Sequence, residues 1–201
     1  MIDTIIFDFG DIFINLNKTG CDNAFEKLGL SLPNSKVSLL NESFEKGLIT
    51  ENDFLQGLQA LLPNQNLDDI RNAWNAVIGD FPLYRLEFLQ LLKTKYRLFL
   101  LTNTDRIHIE HFEDNVGISF FSDFYQCFEK VYYSFEMGLR KPDIATYQRI
   151  IKKHGLNPNR TLFVDDKKEN TDAALLCGLK VWNLQLGTED VTALFDKRRL
   201  E

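Results

Sequence analysis

Thr4-Ile5-Ile6-Phe7-Asp8 is the stretch that decides the fold, because it joins a short strand-like run directly to a carboxylate. An unbroken run of β-branched and aromatic residues predicts a strand that is buried on both faces. A carboxylate at the end of such a strand is costly unless a partner compensates its charge. The run Leu162-Phe163-Val164, followed by Asp165 and Asp166, repeats the arrangement. The sequence therefore predicts buried strands that end in a functional site.

Strand-like and helix-like segments alternate after residue 82, which predicts a doubly wound parallel sheet of the α/β class. The expected helices span residues 83–95, 105–114 and 168–177, and a further helix has Pro142 in its first turn and continues to His154. The later strands are expected over residues 96–101, 130–133, 161–165 and 180–184. Ligands bind at the carboxyl ends of parallel strands, which is where Asp8, Thr102 and Asp165 fall.

Residues 16–81 differ in character from the rest of the chain, because apolar residues recur there at helical spacing. Ser35 and Thr50 are candidate helix N-caps, and Thr50 begins a capping-box pattern that has Asp53 in the place of glutamate. This segment is predicted to be a small inserted helical domain. The core is then expected to comprise residues 1–15 and 82–201.

Composition limits the classes of function. The chain has 201 residues, of which 44% are hydrophobic, and its formal net charge of -6 argues against a nucleic-acid partner. Its three cysteines are far apart and form no CxxC pair, which favours a reducing compartment over a disulfide framework. We find no signal-peptide pattern and no apolar run of membrane-spanning length, so we expect a cytoplasmic protein without a membrane partner.

Three carboxylates at two strand ends, with a hydroxyl and a lysine at two other positions, indicate a metal and phosphate site. Mg²⁺ prefers oxygen ligands and takes one or two carboxylates from a protein, for which Asp8 and Asp166 are candidates. Asp165 is a candidate for holding a water ligand of the metal. Lys141 provides a positive charge, and Thr102 is a candidate for holding the phosphoryl oxygens.

Four segments resemble, in order, the four signature motifs of the haloacid dehalogenase (HAD) superfamily of hydrolases. They are Ile5-Ile6-Phe7-Asp8-Phe9-Gly10-Asp11, then Leu100-Leu101-Thr102-Asn103, then Lys141 before Pro142-Asp143, and finally Leu162-Phe163-Val164-Asp165-Asp166 with Asn170 following. Each motif alone is a weak signal, but four in order are specific. The likeness covers nearly the whole chain. It implies a Rossmann-like core, with the helical insert at the place of a cap domain.

The resemblance also implies a role for each residue. Asp8 is similar to the nucleophile that forms an aspartyl-phosphate, and it would also bind the metal. Asp166 would be a direct Mg²⁺ ligand, and the backbone carbonyl of Gly10 would complete the protein ligands. The second and third motifs would supply the phosphate-binding hydroxyl and the lysine. Asn103 is a candidate substrate-binding residue, with helix capping as an equal alternative.

One position departs from the family pattern. Typical phosphatases of this family carry a second aspartate two residues after the nucleophile as general acid and base, whereas this chain has Gly10 there. Some sugar-phosphatase-like members share that glycine. Asp11 and cap residues are the candidate proton donors, and a slow enzyme or one restricted to good leaving groups is the alternative.

The implied function is a Mg²⁺-dependent phosphatase that acts on a small phosphorylated metabolite, such as a sugar phosphate, as a monomer or homodimer. One alternative is a 2-haloacid dehalogenase, although such enzymes need no metal and lack the acidic pair of the fourth motif. Arg71 is the only arginine between residues 15 and 83 that could bind a substrate carboxylate in that case. The other alternative is a binding or regulatory protein on a decayed scaffold, which only Gly10 supports.

Four further residues have structural interpretations. His108 and His111 share a helix face and are expected on the helix surface, with His108 close to the rim of the active site. Trp74 and Phe81 are expected to pack the cap or its hinge, and the aromatic residues between 120 and 128 are expected in the core.

Overall fold

The computed structural model describes residues 1–195, which form one parallel sheet with helices around it. The strands are β1 (Thr4–Phe7), β2 (Arg97–Thr102), β3 (Lys130–Tyr133), β4 (Thr161–Asp165) and β5 (Lys180–Asn183). Their order across the sheet is β3-β2-β1-β4-β5, and every neighbouring pair is parallel. The predicted doubly wound α/β fold is confirmed.

The helices occur in two groups along the chain. Between β1 and β2 lie α1 (Lys18–Leu28), α2 (Ser35–Glu45), α3 (Glu51–Gln59), α4 (Leu67–Asn75) and α5 (Leu83–Leu92). The later helices are α6 (Arg106–Val116), α7 (Ile118–Tyr125), α8 (Ser134–Met137), α9 (Ile144–His154) and α10 (Lys168–Leu176). None of the helices in residues 1–195 is long and apolar enough to cross a bilayer.

Strand register brings the carboxyl ends of three strands together. Phe7 of β1 is paired with Leu100 of β2 on one side and with Val164 of β4 on the other. The next amide, that of Asp8, donates a hydrogen bond to the Val164 carbonyl at 2.9 Å. Because the strands are parallel, Asp8 leaves the sheet between the ends of β2 and β4.

The two faces of the sheet are covered by separate apolar clusters. One is rich in phenylalanine, and Phe124 makes ring contacts there with Phe9, Phe13 and Phe112 at centroid distances of 5.4, 5.6 and 6.2 Å. The prediction that the aromatic segment 120–128 packs into the core is confirmed. Residues 120–125 of that segment belong to the helix α7, which the sequence analysis did not predict.

Helices α1 to α4 share a third apolar cluster. The capping box predicted at Thr50 is confirmed, since the Thr50 hydroxyl accepts from the Asp53 amide at 3.1 Å and the Asp53 carboxylate accepts from the Thr50 amide at 3.1 Å. The predicted cap at Ser35 is wrong by one residue, because the Asn34 side chain accepts from the amides of the first turn. The proposed cap limits, residues 16–81, stay a prediction.

Pro142 does not lie in the first turn of α9, which corrects the expected start of that helix. The Asp143 carboxylate accepts from the Ala145 amide at 2.9 Å and caps a helix that begins at Ile144. The short polar side chain therefore decides where the helix starts. The other predicted bounds differ from those observed by a few residues at the element ends.

A short ribbon joins the α1–α4 cluster to the core. Leu16 forms an antiparallel bridge with Ile78, and the amide of Asn17 donates to the Val77 carbonyl at 2.8 Å. A Cβ added to Gly79 would lie 2.4 Å from the Asn15 carbonyl oxygen, so only glycine fits there without a shift. The two chain segments that connect the helical insert to the core are therefore paired with each other, and this pairing fixes their positions.

Candidate active site

Three carboxylates and one ammonium group meet where β1 and β4 end. Oxygens of Asp8, Asp165 and Asp166 all lie within 4.8 Å of one another. The Lys141 ammonium lies 2.8 Å from Asp8 Oδ1 and 2.6 Å from Asp165 Oδ2, and its side chain is only 1% exposed. The structure thus brings together four residues that come from three separate sequence motifs.

Asn103 holds Lys141 in place through the backbone. Its amide nitrogen donates to the Lys141 carbonyl at 2.8 Å, and its amide oxygen accepts from the Lys141 amide at 2.9 Å. Burial opposes the charge of the lysine, but the nearby Asp165 and Asp8 carboxylates outweigh burial and raise the Lys141 pKa. Since both polar atoms of Asn103 are engaged, its geometry favours a positioning role over direct substrate binding.

The two carboxylates of the fourth motif differ in their surroundings. Both oxygens of Asp165 are occupied, by Lys141 Nζ, by the Lys167 amide at 2.8 Å and by the Asn170 side chain at 3.0 Å. Asp166 is half-buried, and no hydrogen bond from residues 1–195 reaches its carboxylate. Burial and the Asp165 charge raise the Asp166 pKa. Asp166 is therefore the better candidate for a direct metal ligand.

Burial of the charged Asp8 carboxylate costs free energy that its contacts with other protein groups do not fully offset. Burial is the main cause, and Asp165 adds to it, so that the Asp8 pKa is raised to about 7 despite the attraction of Lys141. Three carboxylates and one ammonium leave a formal charge of −2 at the site. A divalent cation with a preference for oxygen ligands matches both the charge and the donor set, so these residues fit Mg²⁺.

A cavity of about 290 Å³ opens onto these groups. Thr102, at the end of β2, lines this cavity beside Asp8 and Lys141, and its side chain is buried. Gly10 also lines the cavity, where an added Cβ would approach the Leu16 side chain to 3.0 Å. The volume is at the lower end for small-molecule sites, which indicates a small ligand.

Asp11 lies on the wall of the same cavity. It has a φ of 59°, which is unusual for a residue with a side chain, and its carboxylate accepts from the Leu16 amide at 3.0 Å. Lys18 Nζ lies 2.6 Å from the other oxygen. The structure thus places Asp11 near the site and shows that it also fixes the chain at the entrance to the helical insert.

His108 lines the cavity, as predicted for a residue near the rim of the site, but its side chain is largely buried and not on an open helix surface. Its ring is stacked on the indole of Trp74 at a centroid distance of 5.0 Å, and its Nδ1 lies 3.1 Å from the Asp105 carboxylate. Burial lowers the tendency of His108 to be protonated, but Asp105 outweighs burial and raises the His108 pKa. The Trp74 indole N–H also donates to Asp105, at 3.0 Å. The helical insert and the core therefore meet in a buried polar cluster.

Four polar or reactive residues of residues 16–81 line the cavity but were not proposed from the sequence, namely Cys21, Asp22, Asn41 and Glu45. They belong to the helical insert, where periodicity predicts which residues are helical but not which helix end faces the core. Burial raises the Cys21 pKa to about 11, which makes a thiolate nucleophile unfavourable there. The other three supply hydrogen-bonding groups to the wall opposite the strand ends.

Comparison with known proteins agrees with this geometry. Residues 2–178 match the family of haloacid dehalogenase-like hydrolases. A D-ribitol-5-phosphate phosphatase from Bacteroides thetaiotaomicron is 24% identical over 94% of this chain and 95% of its own length. The HAD family enzyme bt-2542 from the same organism, solved in complex with magnesium and inorganic phosphate, is 32% identical. It covers 97% of this chain and 100% of its own, with a TM-score of 0.87.

A HAD-like family hydrolase from Porphyromonas gingivalis shares the fold with a TM-score of 0.84, at 24% identity and with complete coverage of both chains. The order of the motifs, the parallel sheet and the family match agree with one another. The chain belongs to the haloacid dehalogenase-like hydrolase family.

Proposed function

We propose that the protein is a Mg²⁺-dependent phosphatase for a small polyol or sugar phosphate, and that it works through an aspartyl-phosphate on Asp8. The observation that carries this proposal is the single cavity shared by Asp8, Thr102, Lys141 and Asp166. The phosphatase relative and the magnesium and phosphate complex of bt-2542 support it.

The reaction has two steps. An Asp8 oxygen attacks phosphorus, a new P–O bond forms, the bond to the alcohol breaks, and the leaving oxygen takes a proton. Water then attacks the phosphorus and returns a proton to the group that protonated the leaving oxygen, the bond to the Asp8 oxygen breaks to restore the carboxylate, and inorganic phosphate leaves. Among residues 1–195, hydrogen bonds to the Asp8 carboxylate are made to Oδ1, from the Phe9 amide at 2.7 Å and from Lys141. Oδ2 is therefore the candidate nucleophile.

The other groups neutralise charge. Lys141 faces the oxygens of the transferring phosphoryl group, and the Thr102 hydroxyl donates to one of them. Asp8, Asp166 and the Gly10 carbonyl would hold Mg²⁺. When bound, the cation would reduce the repulsion between the negative nucleophile and the negative phosphate and would polarise a phosphoryl oxygen. Asp165 keeps Lys141 in position through the 2.6 Å contact.

Asp11 is our candidate for the proton carrier, because Gly10 occupies the position where the family carries the second aspartate. Asp11→Asn keeps an acceptor for the Leu16 amide but removes the acid. We expect it to slow hydrolysis of an alkyl phosphate more than that of an aryl phosphate, because an aryl leaving group hardly needs a proton. Equal slowing of both substrates would show that Asp11 acts only in the folding of its loop.

The decisive experiment measures phosphate release from an aryl phosphate with Mg²⁺ and with EDTA. We expect metal-dependent release, loss of turnover in Asp8→Asn, and a phosphorylated Asp8 peptide in mass spectrometry of quenched wild-type protein. Asp68→Asn is a matched control, because Asp68 is exposed in the first turn of α4. Turnover in Asp8→Asn equal to that of the wild type would contradict the covalent mechanism.

The two alternatives receive less support from the site. Arg71, the candidate for a substrate carboxylate in a dehalogenase, pairs with Glu51 and does not line the cavity described for residues 1–195. A decayed scaffold is not expected to keep Asp8, Lys141 and Asp166 together. The absence of nucleic-acid partners, a cytoplasmic location and a monomeric or dimeric state stay predictions.

A further inference from the structure

We infer that Asn41 and Glu45 form a specificity subsite that recognises the hydroxyl groups of an uncharged leaving group, so that the substrate is a polyol monophosphate. This inference rests on the proposed phosphatase function. Both residues lie on α2 of the helical insert, and both line the cavity that also contains Asp8.

The two side chains keep hydrogen-bonding capacity that the protein does not use. Asn41 Nδ2 donates to Glu45 Oε1 at 3.4 Å, which is at the long limit for a hydrogen bond. Within the part of the chain that the structure describes, the Asn41 carbonyl oxygen has no hydrogen-bond partner. Buried polar groups are normally paired, so this weak pairing at a cavity wall points to ligand hydroxyl groups as further partners of Asn41 Nδ2 and Glu45 Oε1.

Glu45 is held in position from the core. Arg140 Nη2 lies 2.8 Å from Glu45 Oε2, and the Glu45 side chain is 13% exposed. The contact is an ion pair without hydrogen-bond alignment, since neither Glu45 Oε2 nor Arg140 Nε has an aligned partner among residues 1–195. The arginine therefore holds Glu45 through Oε2 and leaves Oε1, which has one long hydrogen bond from Asn41, to accept from hydroxyl groups.

The charge of this wall excludes a second anionic group on the substrate. Of the cavity residues contributed by residues 16–78, two are acidic, Asp22 and Glu45, and one is basic. The basic residue is Lys18, which is already paired with Asp11 at 2.6 Å. A carboxylate or second phosphate on the leaving group would find no unpaired basic side chain among these described residues, whereas neutral hydroxyls find both acceptors and a donor.

The remaining wall suits a short carbon chain. Trp74, Val77 and Ile78 present apolar surface to the cavity, whose volume is about 290 Å³. Apolar walls with a few convergent polar groups are typical of sites that fix the orientation of a small ligand. A four- to six-carbon polyol phosphate combines the required hydroxyl groups, size and lack of further charge.

The test compares kcat/KM for D-ribitol 5-phosphate, pentyl phosphate and 3-phosphoglycerate in the wild type with Mg²⁺. Pentyl phosphate has the same chain length but no further hydroxyl groups, and 3-phosphoglycerate carries a carboxylate. A site built to hydrogen-bond a hydroxyl rejects analogues that lack it. We expect kcat/KM for ribitol phosphate to exceed that for each of the other two substrates by at least about a hundredfold, because those substrates cannot form several of the hydrogen bonds.

Two variants separate recognition from structure. Asn41→Ala and Glu45→Gln should each reduce the ratio of kcat/KM for ribitol phosphate to that for pentyl phosphate by about tenfold, mainly through KM. Glu45→Gln should also raise the ratio of kcat/KM for 3-phosphoglycerate to that for ribitol phosphate. Asn52→Ala, on an exposed position of α3, is the control and should leave all the ratios unchanged. A purely structural role would slow all substrates together.

The outcomes are distinguishable. A wild type that hydrolyses pentyl phosphate as well as ribitol phosphate overturns the subsite and leaves the phosphatase function standing, and this comparison needs no variant. If the kcat/KM ratios are unchanged in both Asn41→Ala and Glu45→Gln, the subsite is likewise overturned and the phosphatase function still stands. A wild type that hydrolyses no phosphate ester with Mg²⁺, including an aryl phosphate, overturns the phosphatase function and the subsite with it.

Discussion

Asp8→Asn should make the metal-free protein more stable while it abolishes turnover. The buried Asp8 carboxylate is raised from an ordinary pKa of 3.8 to about 7, mainly by burial. A carboxyl group with a raised pKa in the folded state stabilises the fold while it is protonated, and that contribution is lost as the pH rises from 3.8 to about 7. The wild type should therefore be weakest at alkaline pH without metal.

The size of the effect follows from this interval. The Asp8 pKa rises from 3.8 to about 7, and each pKa unit corresponds to about 1.4 kcal/mol. Ionisation of Asp8 therefore costs the folded state up to about 4 kcal/mol. Asparagine has no charge to lose. The gain in Asp8→Asn should approach about 4 kcal/mol at pH 8 and stay under about 2 kcal/mol at pH 5.

Urea unfolding with EDTA at pH 5 and pH 8 measures both differences. The control Asp68→Asn changes an exposed carboxylate, so we expect less than about 0.5 kcal/mol at either pH. Mg²⁺ should reduce or reverse the advantage of Asp8→Asn, because the cation binds the wild-type site better and stabilises the state that it binds. An Asp8→Asn variant that is no more stable than the wild type at pH 8 would refute the reasoning.

Three further predictions concern the helical insert and its junction with the core. Thr50→Ala removes the capping box of α3 and should lower the free energy of unfolding by about 1 kcal/mol in urea. Gly79→Ala should lower the melting temperature in calorimetry, because its Cβ would lie 2.4 Å from the Asn15 carbonyl oxygen; an unchanged melting temperature would show that the ribbon yields freely. Asp105 raises the His108 pKa above 6.5, so this pair stabilises the fold fully below pH 6.5 and less as the pH rises through the raised value. Urea unfolding between pH 6 and 9 should therefore show a steeper fall for the wild type than for His108→Gln, and parallel curves would contradict the assigned pair.

The strand ends of the site were predictable because the signal is local. A short buried run followed by a carboxylate predicts both the strand and the end at which the proposed site lies, as at Asp8 and Asp166. The parallel alternation of elements then brings such ends to one edge of the sheet. Nothing beyond the order of the motifs was needed to place Thr102 and Lys141 beside them.

The wall contributed by the helical insert was not predictable in the same way. Periodicity shows that Asn41 and Glu45 are helical, but the face that they turn to the core depends on how α2 docks against distant residues such as Arg140. His108 illustrates the same limit, since its partner Trp74 is 34 residues away in sequence. The helix α7 was missed because Gly117 offers no side-chain cap and the segment is aromatic on several faces.

Asp105 and Asp8 provide the sharpest contrast between a structural and a functional carboxylate. They are similarly buried, at 1% and 7% exposure, yet His108 and hydrogen bonds outweigh burial and lower the Asp105 pKa, whereas the Asp8 pKa is raised. Asp105→Asn should therefore destabilise the metal-free protein at pH 8, because it removes the buried carboxylate that contacts His108 Nδ1 and accepts from the His108 amide and the Trp74 indole N–H. Asp8→Asn should stabilise it under the same conditions. Opposite signs in one urea experiment would show that the fold compensates its buried charges except where the proposed reaction needs them, and equal signs would remove the electrostatic basis for assigning the site.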